Sequence, residues 1–491
     1  MTKLVENVPQ FRYRSPFWQN FLSGLTIAFT AGIYVALNLL GAGGGQPDSA
    51  HISTRLNATL NSIWILSSAL GSVVLHAIGP GITSFLGVSG YIIYVGGLWY
   101  LSNTGKAAFP YFSAVCIGMS AGLIFVTSGY IMLSYPEEKE KGLYVTVGFG
   151  LLAGGEIIGG IIPLLISRNN DSDGGVPNAV YIAFIVIMCL IAVAGLFILP
   201  PNKITRDDGS GVADVKYRGL WVELKSNLSD LCDKRLLVMI PCFLPAETYL
   251  VYIGSVNAFH NNLRTRCLLS FMSVVLQIPF SIILQKIFDH TAWKRKTRAI
   301  LGLAYVAVPL CASWIWEMVR VRDYNRHDPP TPMDWTDDGF ASEFVLFMMA
   351  WISSTLWQYV IMYFLGLLTN DPIKGSHYAG GFRAFLAAGE SVVFGLDSLL
   401  VPYVKEAGII FAFYFAGICI YAYMALFVVE ETKYFQEENV VVPTHVLEEK
   451  GHPEVVIGTE LEENISPEKI STIGAVDKID ASPIDKNEIV A

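Results

Sequence analysis

Apolar residues in this chain fall in long continuous runs separated by short polar connections. Twelve such runs lie near 18–40, 56–77, 82–101, 109–133, 143–166, 178–199, 236–259, 266–287, 299–316, 343–368, 381–403 and 408–429. Each approaches the roughly 20 residues that a helix needs to cross the hydrocarbon of a bilayer. The pattern predicts an all-α membrane protein of twelve transmembrane helices. The first run follows a short polar segment, 1–17, is too long for a signal sequence, and has no small-residue cleavage site after it, so it reads as a retained helix. The longest internal connection, 200–235, divides the runs into six-helix halves, 18–199 and 236–429. It contains Asp207-Asp208-Gly209-Ser210-Gly211, read as a flexible, solvated stretch.

A weak internal repeat supports the two halves. Leu152-Ala153-Gly154-Gly155-Glu156 in the fifth run matches Leu386-Ala387-Ala388-Gly389-Glu390 in the eleventh, and the same offset pairs Tyr144 with Tyr378. With the helix count, this points to the parallel halves of a major-facilitator fold.

Composition agrees. Hydrophobic residues make up 53% of the 491, charged residues only 15%, and mean hydropathy is +0.47. These values exclude an ordinary cytosolic enzyme, a disordered chain and a nucleic-acid binder. The net charge of −9 is concentrated in the segment 430–491, which holds 15 acidic and five basic residues. That segment is poor in aromatics and has four prolines, so it reads as a disordered cytoplasmic tail. The remainder is nearly neutral. Its basic residues divide 19 to nine between alternate sides of the predicted spans, which places both termini in the cytoplasm. Neither the plasma membrane nor an endomembrane is favoured. The seven cysteines are odd in number and lack metal-type spacing, so neither a disulfide framework nor a zinc site is expected, and they read as packing residues. The run Gly41-Ala42-Gly43-Gly44-Gly45 follows a helix and has no Lys-Ser/Thr after it, so it is not a nucleotide loop. No catalytic pair stands at reactive spacing, and the chain is read as a non-enzyme without cofactor or metal.

The charges inside the apolar runs carry most of the functional information. Glu156 sits mid-run in the fifth helix. Arg383, Glu390 and Asp397 follow one another at intervals of seven in the eleventh. Seven residues bring a helix to within about 20° of the same face, so these three form a stripe with steps of roughly 10.5 Å. Charges in lipid are costly and face partners or cavities. The four are either coupling and gating groups that titrate or change partners, or a static network that aligns the halves. The seventh run is interrupted by Pro241 and Pro245, with Glu247 close behind. Broken helices of this kind line binding sites near the midplane, so Glu247 is either a cavity residue or a partner for the interrupted backbone. Helices 1, 4, 7 and 10 would line the central cavity. They offer Tyr34, Asn38, Tyr130, Tyr249, Asn257, Trp357, Gln358 and Tyr363, which are either helix-packing residues or an aromatic and polar lining ill suited to a strongly anionic solute. Gly24, Ala28, Gly32 and Ala36 in the first helix, and Gly150, Gly154, Gly155 and Gly159 in the fifth, would let backbones approach closely.

Several segments together resemble the uncoordinated-ninety-three-like family of the major facilitator superfamily, fungal members in particular. They are Phe17-Trp18-Gln19 and 31–45, then Ser128–Pro136. Asn257-Ala258-Phe259-His260 with Leu263-Arg264-Thr265-Arg266 follows, and last Gly366–Pro372 with Ala379–Arg383. The resemblance covers about residues 15–430. It implies either a secondary transporter of a small solute or a regulatory or trafficking subunit of a channel or other membrane protein. The chain departs from the family at 353–358, where Ser353-Ser354-Thr355-Leu356-Trp357-Gln358 stands in place of a segment that often holds an acid. The segment Asp289–Arg298 resembles the acidic-then-basic cytoplasmic loop of the superfamily, which implies interhelical ion pairs there; the alternative is that its bases only set the topology. The reading is therefore a multi-pass transporter of a small organic solute working by alternating access, with proton coupling open. Its partners are the lipid bilayer and the solute, with a second membrane protein on the regulatory reading.

The topology is directly testable. Tags at Met1 and Ala491 should both be shielded from external protease in sealed cells; an accessible C-terminus would require an odd number of spans and break the two-half division.

Overall fold

The computed structural model describes residues 11–39, 49–167, 178–328, 330–437 and 439–449. The chain divides into two compact units, Met1–Val441 and Val442–Ala491; in the second, the described residues include a short helix, Thr444–Glu449. Helices fall on every predicted apolar run. In chain order they are α1 (Pro16–Ile27) continuing through a π-turn (Ala28–Gly32) into α2 (Ile33–Leu39), α3 (Ser49–Thr104), α4 (Ala108–Ser134), α5 (Lys141–Ser167) and α6 (Asn178–Gly195). There follow α7 (Leu220–Leu231), α8 (Lys234–Val238), α9 (Ile240–Phe243), α10 (Thr248–His260), α11 (Leu263–Phe288), α12 (Arg295–Arg320), α13 (Phe340–Leu368), α14 (Pro372–Ser398) and α15 (Tyr403–Phe427).

Among the described residues, eight helices are long and apolar enough to cross a membrane by themselves. The departures from twelve have local causes. The predicted spans 56–77 and 82–101 are joined in α3, which bends at Gly79 (φ +78°) ahead of Pro80. Glycine tolerates that backbone and proline cannot continue the hydrogen-bond ladder. The first span is interrupted by its π-turn. The seventh is divided among α8, α9 and α10 around Pro241 and Pro245. α14 is long enough, but its charged residues lower its hydropathy.

The repeat has a packing cause. A Cβ on Gly155 would lie 2.0 Å from the Ala28 carbonyl oxygen, and one on Gly32 would lie 2.7 Å from the Gly155 carbonyl carbon. The irregular turn of the first span thus crosses α5 backbone to backbone. Further along the chain, a Cβ on Gly389 would lie 1.9 Å from the carbonyl oxygen of Leu244, in the broken seventh span. The repeated Gly-Glu therefore marks the same event twice: an irregular helix crossing a regular one where only glycine leaves room. Gly150 and Gly154 meet nothing within 4 Å, so only part of the glycine pattern of the fifth helix is contact.

Two segments are more ordered than their composition suggests. The connection 200–235 contains α7, an amphipathic helix with Glu223 and Asn227 buried against α3 and α14. Its Arg206–Gly211 portion forms a closed turn, and Asp207 pairs with Arg12 at 2.7 Å. At the start of the acidic segment, Glu437 accepts from Thr369 Oγ1 and from the backbone N–H groups of Asn370 and Asp371 just ahead of α14. Its carboxylate is held by amides just ahead of a helix start, where the helix dipole favours negative charge. Residues 450–491 of the predicted tail lie outside the described residues.

Substitutions at the crossings should separate contact from composition. Gly389→Ala should cost about 1–3 kcal/mol or more, because a backbone oxygen cannot rotate away from the new methyl. Gly154→Ala should lie within about 0.5 kcal/mol of the parent. Melting curves in detergent would compare them, and equal effects would contradict the crossing.

Candidate functional site

The predicted intramembrane residues do not form one cluster. They divide into a central group and two end groups, because α14 runs about 40 Å from Pro372 to Ser398.

The central group forms where the broken seventh span meets α14. Pro245 has no amide for the Pro241 carbonyl, and the Ala246 N–H bonds the Phe243 carbonyl, so the Cys242 carbonyl accepts from Trp357 Nε1 at 2.9 Å. Glu247 opens α10 without capping it, and its Oε2, which has no hydrogen-bond partner among the described residues, lies 3.9 Å from Arg383 Nη1. Arg383 is 2% exposed, and its Nη1 donates to Gln358 Oε1 at 3.3 Å. Its guanidinium lies 4.3 Å from the ring centre of Phe125 and 5.4 Å from that of Phe149, two residues of the N-terminal set of helices. Such cation–π contacts strengthen in a desolvated setting. Glu156 and Glu390 both experience the charge of Glu247. Tyr249 stands beside them and accepts from Thr355 Oγ1 at 2.9 Å. Glu156, Glu247, Tyr249, Trp357, Gln358, Arg383 and Glu390 therefore form one neighbourhood.

The others lie elsewhere. Tyr34 packs on Tyr91 and Tyr94 and donates to Asn57 Oδ1 at 3.3 Å. Asn38 lies outside the residues whose side chains are described. Tyr130 meets Tyr135 edge-on, and Tyr363 stacks on Phe288 at 3.8 Å and donates to its carbonyl. Both stand at the base-rich end of the bundle, the end assigned to the cytoplasm from sequence. At the opposite end, Asn257 lines a small cleft with Glu317, Arg320 and Glu343. Asp397 is bound there as well: Arg326 Nη1 lies 2.6 Å from it, Ser255 donates to it at 2.6 Å, and Arg326 also pairs with Glu406. The stripe on α14 does face inward, but Asp397 belongs to this outer clasp, roughly two helical turns beyond Glu390.

The base-rich end is tied across the two sets of helices. Lys141, 1% exposed, donates to the carbonyls of Gly366 and Thr369 and to Asn370 Oδ1 at 2.6–3.0 Å, neutralising the negative end of α13. Asp289 accepts from Gly142 N at 2.9 Å at the start of α5. Arg295 pairs with Glu138 at 3.1 Å. Of these, the Arg295–Glu138 contact is an ion pair of the kind implied by the acidic-then-basic loop; Asp289 meets a backbone amide, and Lys141 lies outside that loop. Lys141 appeared in the sequence only as one basic residue among many, because nothing local shows that α13 ends beside it.

Residues 56–283 match the family described as ion channel regulatory protein UNC-93. A membrane protein of Schizosaccharomyces pombe is 33% identical over 81% of this chain and 82% of its own length. The chain belongs to the UNC-93 family. UNC93-like protein 1 of Arabidopsis thaliana is 28% identical over 81% of this chain and 87% of its length. Among solved structures, a proton:xylose symporter of the major facilitator superfamily matches 84% of this UNC-93 protein and 94% of its own chain, with TM-score 0.57 and 15% identity. The transporter FucP in its outward conformation matches with TM-score 0.58 and 12% identity, over 84% of this chain and 99% of its own. These likenesses give the fold: a multi-pass, all-α membrane protein of major-facilitator type, in contact with the bilayer.

The base-rich end should respond to pH. Burial, then the neighbouring Glu137, pushes the Glu140 carboxyl up to about 7. Burial pushes Asp289 up to about 6 against the hydrogen bonds it accepts, from Gln285 and the Gly142 N–H among others. Both folded values exceed the unfolded ones, about 3.9–4.3. Their stabilising contribution is therefore complete below about pH 4 and is lost as pH rises through 6 to 7. Glu140→Gln should melt above the parent at pH 8, by on the order of 1 kcal/mol after solvent screening, with the gap closing at pH 4. A gap independent of pH would exclude this assignment.

Proposed function

We propose that this UNC-93-family protein moves a small organic solute across its membrane by alternating access, with the Arg383–Glu247 neighbourhood as the central binding and coupling group. The observation that carries the reading is that one buried cation is shared between the two sets of helices. Arg383 holds Gln358 and Glu247 on one side and the faces of Phe125 and Phe149 on the other. Rocking of the halves alters these contacts. Glu247 has an oxygen free to take a solute hydroxyl, ammonium group or proton, and Glu156 and Glu390 stand near enough to sense the change. The aromatic lining suits neutral or cationic solutes better than strongly anionic ones. The orientation follows the basic-residue bias, with both termini cytoplasmic.

The second reading, a non-transporting regulatory or trafficking subunit, is favoured by the family's description as ion channel regulators. On that reading the central charges align the halves, and the functional surface is one that another membrane protein covers.

Untargeted metabolite comparison of cells with and without the chain identifies the solute, and uptake per folded molecule then tests the site. Glu247→Gln and Glu390→Gln keep side-chain shape and remove charge. Glu247→Gln should reach the membrane and lose most uptake, and Glu390→Gln should lose the pH dependence of uptake. If Glu390 is only structural, its variant should instead lose about 1–3 kcal/mol of stability with normal uptake per folded molecule. No altered solute, together with co-purification of a channel, would favour the regulatory reading.

A further inference from the structure

Away from the central group, α7 is clamped between α3 and α14 by a buried polar cluster. His76 of α3 presents Nδ1 to Glu223 Oε2 at 2.8 Å and Nε2 to Ser376 Oγ at 2.9 Å. His377 of α14 presents Nδ1 to Asp230 Oδ2 of α7 at 2.6 Å. The two imidazole centres are 5.5 Å apart. One ligand atom from each of His76, Glu223 and His377 lies within 4.8 Å of the other two, and all three residues are buried. His377 is fully enclosed, yet its Nε2 has no hydrogen-bond partner among the described residues.

We propose that His76, Glu223 and His377 form a binding site for a divalent transition cation of the zinc class. With Asp230 accepting the Nδ1 proton, the free Nε2 of His377 carries a bare lone pair, which is costly to bury unsatisfied. A carboxylate behind a histidine is also the arrangement that orients imidazole ligands and raises their basicity. Two nitrogens and one carboxylate oxygen make a borderline donor set that suits zinc over calcium or magnesium. Zinc–ligand bonds of about 2.0–2.2 Å place tetrahedral ligand atoms roughly 3.3 Å apart. The more distant atoms must therefore close in by at most about 1.5 Å, while His76 Nδ1 and Glu223 Oε2, 2.8 Å apart, exchange their hydrogen bond for the ion and open by roughly 0.5 Å, both within the reach of side-chain rotation. The ligands come from the second span, the connection between the halves, and the eleventh span. A bound ion would fasten both halves to α7 at the base-rich end and oppose their separation.

The test uses full-length protein without a polyhistidine tag, stripped with chelator in detergent and then given zinc alone. Bound metal is measured by mass spectrometry after gel filtration, beside a melting curve. One equivalent of zinc should be retained, the melting temperature should rise, and magnesium should do neither. His377→Gln and His76→Gln should lower retained zinc at least tenfold. Asp230→Asn, which touches only the far nitrogen of His377, should weaken binding by about 10–100-fold. Cys232→Ser, at an exposed thiol nearby, should change nothing. Absence of retained zinc in the folded parent overturns the site whatever the variants do, as does equal retention by folded histidine variants.

Discussion

Two prolines in the seventh apolar run release backbone groups inside a region with no water to receive them, and the surroundings of that break answer to this constraint. Each unsatisfied carbonyl in hydrocarbon costs several kcal/mol. Trp357 reaches across to the Cys242 carbonyl, and Gly389 lacks a side chain where the Leu244 carbonyl passes. The break also places Glu247 at the head of α10, opposite Arg383. The helix irregularity, the small residue facing it and the central charge pair are thus parts of one solution. The first span shows the same arrangement in milder form, with a π-turn against Gly155 and Glu156 next in sequence.

The charges divide by depth. At the base-rich end, Lys141, Asp289 and Arg295 tie helix ends together by meeting partial charges on backbone termini and a few full ions. At the other end, Arg326 holds Asp397 and Glu406. In the middle, Arg383 is balanced more loosely by one distant carboxylate, one amide and aromatic faces. A buried cation with tight bidentate partners would hold one arrangement, whereas this one can exchange partners at lower cost. This contrast between firm ends and a loosely paired centre is why the central group, more than the clasps, supports the transport reading.

The sequence by itself determined the helices and their class, because lipid imposes a simple rule: a long apolar run must satisfy its backbone internally and so becomes a helix. It also marked the break at Pro241 and Pro245, the inward stripe on α14 through its period of seven, and the Gly-Glu repeat. Only the tertiary structure decided which inward residues meet. Asp397 shares a helix face with Arg383, but the length of α14 carries it to a different partner, Arg326, on a connection that no periodicity describes. Tyr130 and Tyr363 looked like cavity residues by helix number, yet they lie at helix ends. The stretch Asp207–Gly211 reads as solvated because its composition is polar and rich in glycine; the burial of α7 in the same connection depends on Glu223 and Asp230 meeting histidines 147 positions away in sequence. Local pattern records what each segment needs to bury, whereas the pairing of distant charges depends on how helices of fixed length cross, and that geometry is set by the whole bundle at once.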